Sequence, residues 1–199
     1  RGLLREVLPL AQVRPLLAVK KGNPLKVRGL ADLLRPELRL SLPLPEAAAT
    51  GKLVREALLK SGHWIAIEQA ARVTKPTVNE VANDLKLGAA DAGFVWDATL
   101  KQYPALEGVE LPELATVRGS VSAAVLTTSV SPATALCFAR LLASKDRGAE
   151  EFRKAGYTPA EGDPWEERPV LVLHAGAMLR PAIEPTLQAF ERREGCEIV

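Results

Sequence analysis

Apolar and polar positions along the chain follow two rhythms, and the rhythms take turns. Residues 13–22 (VRPLLAVKKG) form an apolar run closed by Gly-Asn-Pro, which reads as a strand ended by a turn. LADLL (30–34) reads as a short helix and LRLSLPLP (38–45) as a strand by alternation. In TGKLVREALLKS (50–61), Leu53, Val54, Ala57 and Leu58 share one helical face. ARVTK (71–75) is a short strand. TVNEVANDLKLG (77–88) sets Val78, Val81, Ala82 and Leu85 in helical register, with Gly88 as the stop. ADAGFVWD (90–97) and SVSAAVLTT (120–128) read as strands, and residues 132–156 hold a long helix and a second one. This alternation predicts an α/β fold with mostly parallel sheets.

The last part of the chain repeats the pattern from its beginning. Residues 158–168 (TPAEGDPWEER) are rich in proline and charge and read as a linker. PVLVLHA (169–175) then reads as a strand, followed by an amphipathic helix whose Leu179, Ala182, Ile183, Leu187 and Phe190 share one side. CEIV starts a further strand.

Composition narrows the function classes. Hydrophobic residues make up 47% and charged residues 25%, as in an average soluble protein. A net charge of +2, scattered basic residues and 5% aromatics argue against a nucleic-acid platform. No apolar run reaches membrane-spanning length. Cys137 and Cys196 read as small buried hydrophobes. His63 and His174 lack partners at ligand spacing, so neither a metal site nor a cofactor is expected. No nucleophile–base–acid set stands out. Ser61 and His63, two residues apart in a helical stretch, are not expected to face each other, so the chain does not read as an enzyme.

Three helix starts have the chemistry to hold an anion. Thr77-Val78-Asn79-Glu80 fits a capping box that leaves first-turn amides free. Thr50 precedes the Gly51-Lys52-Leu53 helix, and Ala177–Met178 follows the strand ending at His174. Helix N-termini attract anions through free N–H groups and the macrodipole.

The segments PLLAVKKGNPLKVRGLADLLRPELRLSLPLPEAAATGKLVREALLKSG, VNEVANDLKLGAADAGFVWD and FRKAGY, in order from Pro15 to Tyr157, resemble the periplasmic molybdate- and tungstate-binding proteins of ABC transporters. VLHAGAMLRPAIEPTLQAFERREG resembles the N-terminal strand and helix of the same family. The resemblance implies a type-2 periplasmic binding fold: two α/β lobes joined by two crossing strands. It divides the chain into lobe 1 (residues 1–23 and 119–157), lobe 2 (24–118) and the linker (158–168). Residues 169–199 are then the start of a second repeat, or a permuted strand and helix that complete lobe 1 beside residues 16–20. Crossings are expected near Gly22–Pro24 and Arg118–Ser120.

The family holds a tetrahedral oxyanion with neutral donors. By resemblance, Thr50 falls where an alanine amide binds, Val78 on a valine amide and Trp96 on a tyrosine. Ala177 or Met178 stands where a serine is found, and the second serine's segment falls outside these residues. Carboxylate coordination would place acids near Val95 and Ala47–Ala48, which are apolar here. Asp97 and Glu46 read as caps or solvated residues, and Lys20 and Lys21 as surface residues with a secondary reading as anion-steering charges. The implied function is extracytoplasmic capture of an oxyanion for an ABC permease in the periplasm. The alternatives are a sensor module of the same fold and a degenerate repeat that binds nothing.

Overall fold

The computed structural model describes residues 2–166 and 168–199, so Glu167, within the expected linker, lies outside the described residues. The chain divides into two compact units, residues 1–162 and 163–199.

The first unit opens with strand β1 (Leu4–Val13), followed after Arg14 by β2 (Pro15–Lys20). A 3₁₀ turn (Leu30–Leu34) leads to β3 (Leu40–Pro43), α1 (Ala49–Lys60), α2 (Trp64–Ala70) and β4 (Ala71–Lys75). Then come α3 (Val78–Leu87), β5 (Ala92–Trp96), α4 (Thr99–Gln102) and β6 (Leu106–Val109). The unit closes with β7 (Gly119–Leu126), α5 (Pro132–Ala143), α6 (Gly148–Lys154) and β8 (Thr158–Pro159).

A five-stranded sheet in the order β4-β3-β5-β2-β6 forms one half of this unit. Its three central strands, β3, β5 and β2, bury both faces, and alternate side chains serve different cores. Leu17 and Val19 of β2 join Leu40, Leu42 and Phe94 against Val54, Leu58, Trp64 and Ile67 of α1 and α2. Leu16, Ala18 and Val95 point the other way, onto Val81, Ala82 and Leu85 of α3. The helical faces expected for α1 and α3 are those that pack.

A smaller antiparallel sheet, β7-β1-β8, forms the other half, with Val13 opposite Gly119. The α/β class therefore stands, but parallel strands are fewer than alternation predicts. β3 pairs parallel with β4 and β5, whereas β2 runs antiparallel to β5 and β6.

The first crossing falls at Arg14 rather than at Gly22–Pro24. Strand β2 is buried on both sides up to Lys20, so it needs the two helix layers of the larger sheet. Gly-Asn-Pro is instead a turn within that half. The Asn23 amide donates to the Lys20 carbonyl at 2.9 Å, and the Asn23 side chain makes paired 2.8 Å bonds with the Val27 backbone. The second crossing joins β6 to β7 through a 3₁₀ turn (Pro112–Leu114). The expected linker also begins late, because Thr158–Pro159 pairs with Gln12 and Ala11 of β1.

Two local expectations change as well, while Lys20 lies on the surface as expected. Cys137 is exposed and only Cys196 is buried. Helix α1 ends at Lys60, and the turn after it brings His63 Nδ1 to 3.0 Å from Ser61 Oγ on the exposed surface. Lys20 lies at the C-terminal end of α3, beside Gly88 and Asp91, where a cation complements the helix dipole.

In the second unit, β9 (Val170–Leu171), a 3₁₀ turn (Ala177–Leu179), α7 (Arg180–Glu194) and β10 (Glu197–Ile198) form a minimal βαβ unit. β9 pairs parallel with β10, Val170 opposite Glu197.

At the amino ends of β3 and β5, Arg39 clasps Asp91. The guanidinium donates to both carboxylate oxygens at 2.7 and 2.9 Å, and the Arg39 amide adds a third bond at 3.0 Å. The side-chain bond from Arg39 holds the Asp91 carboxyl below its ordinary value, against the opposing effect of partial burial. A carboxylate with a depressed folded pKa contributes stability above its unfolded pKa of about 3.9, and that stability is lost as pH falls through the lower folded value. Asp91→Asn is therefore expected to lower the melting temperature at neutral pH. The gap from wild type should close as pH falls below about 4, measured by thermal unfolding across pH.

Candidate functional site

The site follows from the order of the strands. From β3 the chain moves through α1 and α2 to β4 on one side, then returns through α3 to β5 on the other side of β3. Right-handed crossovers in opposite directions put α1 and α3 on opposite faces of the sheet. The carboxyl ends of β3 and β4, which pair at Pro43 and Lys75, thus form a topological switch point. The Leu44 amide donates to the Lys75 carbonyl at 2.7 Å and ties the two ends together.

Both helices start at this edge. Helix α1 begins after Ala48, whose amide donates to the Leu44 carbonyl at 2.8 Å, and no side chain caps it. Its first turn lies against the end of β3, where a Cβ on Gly51 would overlap the Pro43 carbonyl. Thr50 is fully buried in this turn, and its hydroxyl finds no hydrogen-bond partner. An unpaired buried hydroxyl costs about 1–3 kcal/mol, which marks the start of α1 as a place lacking an acceptor.

Helix α3 carries the capping box read from its sequence. The Glu80 carboxylate accepts from the Thr77 amide at 3.1 Å, and Thr77 Oγ1 accepts from the Glu80 amide at 3.3 Å. The amides of Val78 and Asn79 have no intrahelical acceptor.

Trp96 ends β5, the third strand to finish at this edge, opposite Pro15. Thr50, Val78 and Trp96 therefore all stand at the carboxyl edge of one parallel set. Ala177 and Met178 belong to the second unit, in the 3₁₀ turn before α7, with Met178 fully exposed. Sequence reasoning missed Tyr103, whose hydroxyl donates to the Asn79 carbonyl at 3.5 Å, beside the first turn of α3. A one-turn helix places it, and a single turn leaves no periodicity to read.

Several charges around this edge are paired. Lys75 Nζ sits 3.5 Å from Asp84 Oδ1, and Ser41 Oγ donates to Asp84 Oδ2 at 3.0 Å. Glu46 pairs with Arg55 at 3.1 Å. Asp97 accepts from the amides of Arg14 and Ala98 at 3.0 and 2.9 Å and from Arg14 Nε at 3.3 Å; Ala98 is the N-cap of α4 and no side chain caps that helix, so Asp97 serves as the partner of Arg14 rather than as a helix cap. Val95 and Ala48 are buried and apolar. Among the described residues no group of acids, histidines or cysteines is arranged to hold a metal. The edge presents amide N–H groups and an indole, together with exposed Lys52 in the first turn of α1 and the Glu80 carboxylate of the capping box.

Two sheets, two crossings and helix N-termini at a switch point define a type-2 periplasmic binding fold. The chain belongs to the bacterial extracellular solute-binding proteins, whose family model matches residues 1–158. No curated protein sequence matches it. Among solved structures, the periplasmic molybdate-binding protein of Azotobacter vinelandii is similar with a TM-score of 0.61 at 17% identity, over 80% of this chain and 71% of its own. The substrate-binding domain of a putative molybdenum ABC transporter from Clostridium difficile gives 0.57 at 21% identity, over 80% and 69%. A periplasmic thiamin-binding protein gives 0.68 at 13% identity, over 97% and 73%.

Because Gly51 lets α1 start against β3, Gly51→Ala is expected to push the helix off the Pro43 carbonyl. The expected loss is about 1–3 kcal/mol in denaturant unfolding, with faster hydrogen exchange in the first turns of α1.

Proposed function

We propose that this protein captures a tetrahedral oxyanion of the molybdate or tungstate kind in the periplasm and delivers it to an ABC importer. The observation that carries this reading is the pair of helix N-termini rising from adjacent strand ends, with Pro43 and Lys75 in register between them. Amide donors at both starts bind a dianion without an opposite formal charge, which favours reversible capture and release. The Val78 amide is one donor and the first turn of α1 at Thr50 supplies the other, with the Trp96 indole N–H beside them. Two of the similar structures, a molybdate-binding protein and the substrate-binding domain of a putative molybdenum ABC transporter, agree with this chemistry.

Titration calorimetry with molybdate, tungstate and sulfate tests the reading in two steps. Wild-type protein is expected to bind at least one of them. Val78→Pro removes one amide donor at a helix position that accepts proline, and Thr77 before it is already extended at φ −131° and ψ 150°. A hydrogen bond to an anion is worth roughly 1.5–3 kcal/mol, so the variant should bind about 10- to 100-fold more weakly with its helix content unchanged. No heat with any of the three oxyanions defeats the proposal. Binding of thiamin in their place reassigns the ligand.

A further inference from the structure

One dipeptide at the end of β5 touches both crossings between the two sheets. Asp97 holds the first: its carboxylate accepts the Arg14 amide at 3.0 Å, and its own amide donates to the Arg14 carbonyl at 2.9 Å. Trp96 meets the second. A Cβ built on Gly119, the first residue of β7, would lie 2.8 Å from Trp96 Cη2, 3.1 Å from Cζ3 and 3.1 Å from Val13 Cγ2. Such distances are below van der Waals contact, so the benzo edge of the indole rests on the Gly119 backbone and fills the space a side chain would take. The demand at Gly119 is for space, since it sits in an extended strand.

We propose that Gly119 is a positioning residue for Trp96, and that the Trp96–Gly119 contact, with the Asp97–Arg14 bonds, couples the end of β5 to the angle between the sheets. Arg14 and Gly119 lie on segments about which any rotation of one sheet against the other must turn, since they connect the two. A rotation that lifts β7 away from β5 breaks the indole contact, and displacement of the indole shifts β7. The link to ligand rests on the oxyanion reading, because Trp96 is the residue of the dipeptide at the candidate site. The coupling itself is a property of the ligand-free protein.

A mutant cycle in the absence of ligand reads it. Spin labels at Cys137 on α5 and at Glu68→Cys on α2, with Cys196→Ala, report the distance between the two halves of the first unit. Gly119→Ala is expected to shift the distance distribution and the Trp96 emission, obtained by difference from Trp96→Phe. In the Trp96→Phe background the same substitution should shift the distribution much less, because the ring edge is gone and only the Val13 contact remains. Trp96→Phe alone adds no atom and is expected to move or broaden the distribution, so the inference stays testable if Gly119→Ala does not fold. Molybdate then probes function: Gly119→Ala should bind it at least about tenfold more weakly than wild type, and in the Trp96→Phe background the same substitution should cost much less. An equal shift from Gly119→Ala in both backgrounds, or an unchanged distribution in every variant, overturns the inference. A wild type that binds no molybdate while the ligand-free cycle behaves as expected leaves the coupling standing and removes only the oxyanion reading.

Discussion

The whole arrangement depends on handedness. A strand, a helix and a parallel strand connect right-handedly, and this chain makes that connection twice in opposite directions around β3. The two helical layers are thereby forced onto opposite faces, and their N-termini onto the same edge. Each face then needs its own core, and β2 and β5 supply it by alternating Leu17, Val19 and Phe94 on one side with Leu16, Ala18 and Val95 on the other. The switch point at Pro43 and Lys75 is a consequence of this topology, not a separate feature added to it.

Much of the formal charge near that edge is paired. Asp84 takes Lys75, Arg55 takes Glu46 and Arg14 takes Asp97, while Glu80 is held by the Thr77 amide and Lys52 stands exposed in the first turn of α1. What faces outward is backbone N–H with a helix dipole behind it. Partial charges of this sort attract an anion without the desolvation cost of burying a full opposite charge.

The smaller sheet has a different relation to the rest. It meets the larger one through two short segments, and both of them run past the end of β5. A side chain at that end is therefore in contact with the connection as well as with the edge where the helices start. Gly119 makes this possible by leaving room for an indole.

Local and repetitive features were legible in the sequence by itself. The faces of α1 and α3, the Thr77–Glu80 capping box, the Gly88 stop and the span of β4 come from contacts a few residues long, so periodicity and caps report them directly. Thr50, Val78 and Trp96 became candidates through resemblance to a family, because nothing in their own neighbourhoods distinguishes them from other helix and strand ends. Only the tertiary structure decided what pairs with what. Strand β2 looks like any apolar run until its two buried faces assign it to the larger sheet and move the crossing to Arg14. Strand β1 has an exposed first half and too weak an alternation to be read, and its existence depends on β7, more than a hundred residues away. The turn that sets His63 against Ser61 and the space at Gly119 that receives Trp96 are likewise properties of the folded chain. Hydrogen-bond partners and free volume belong to pairs of segments, and a pattern along one segment does not contain them.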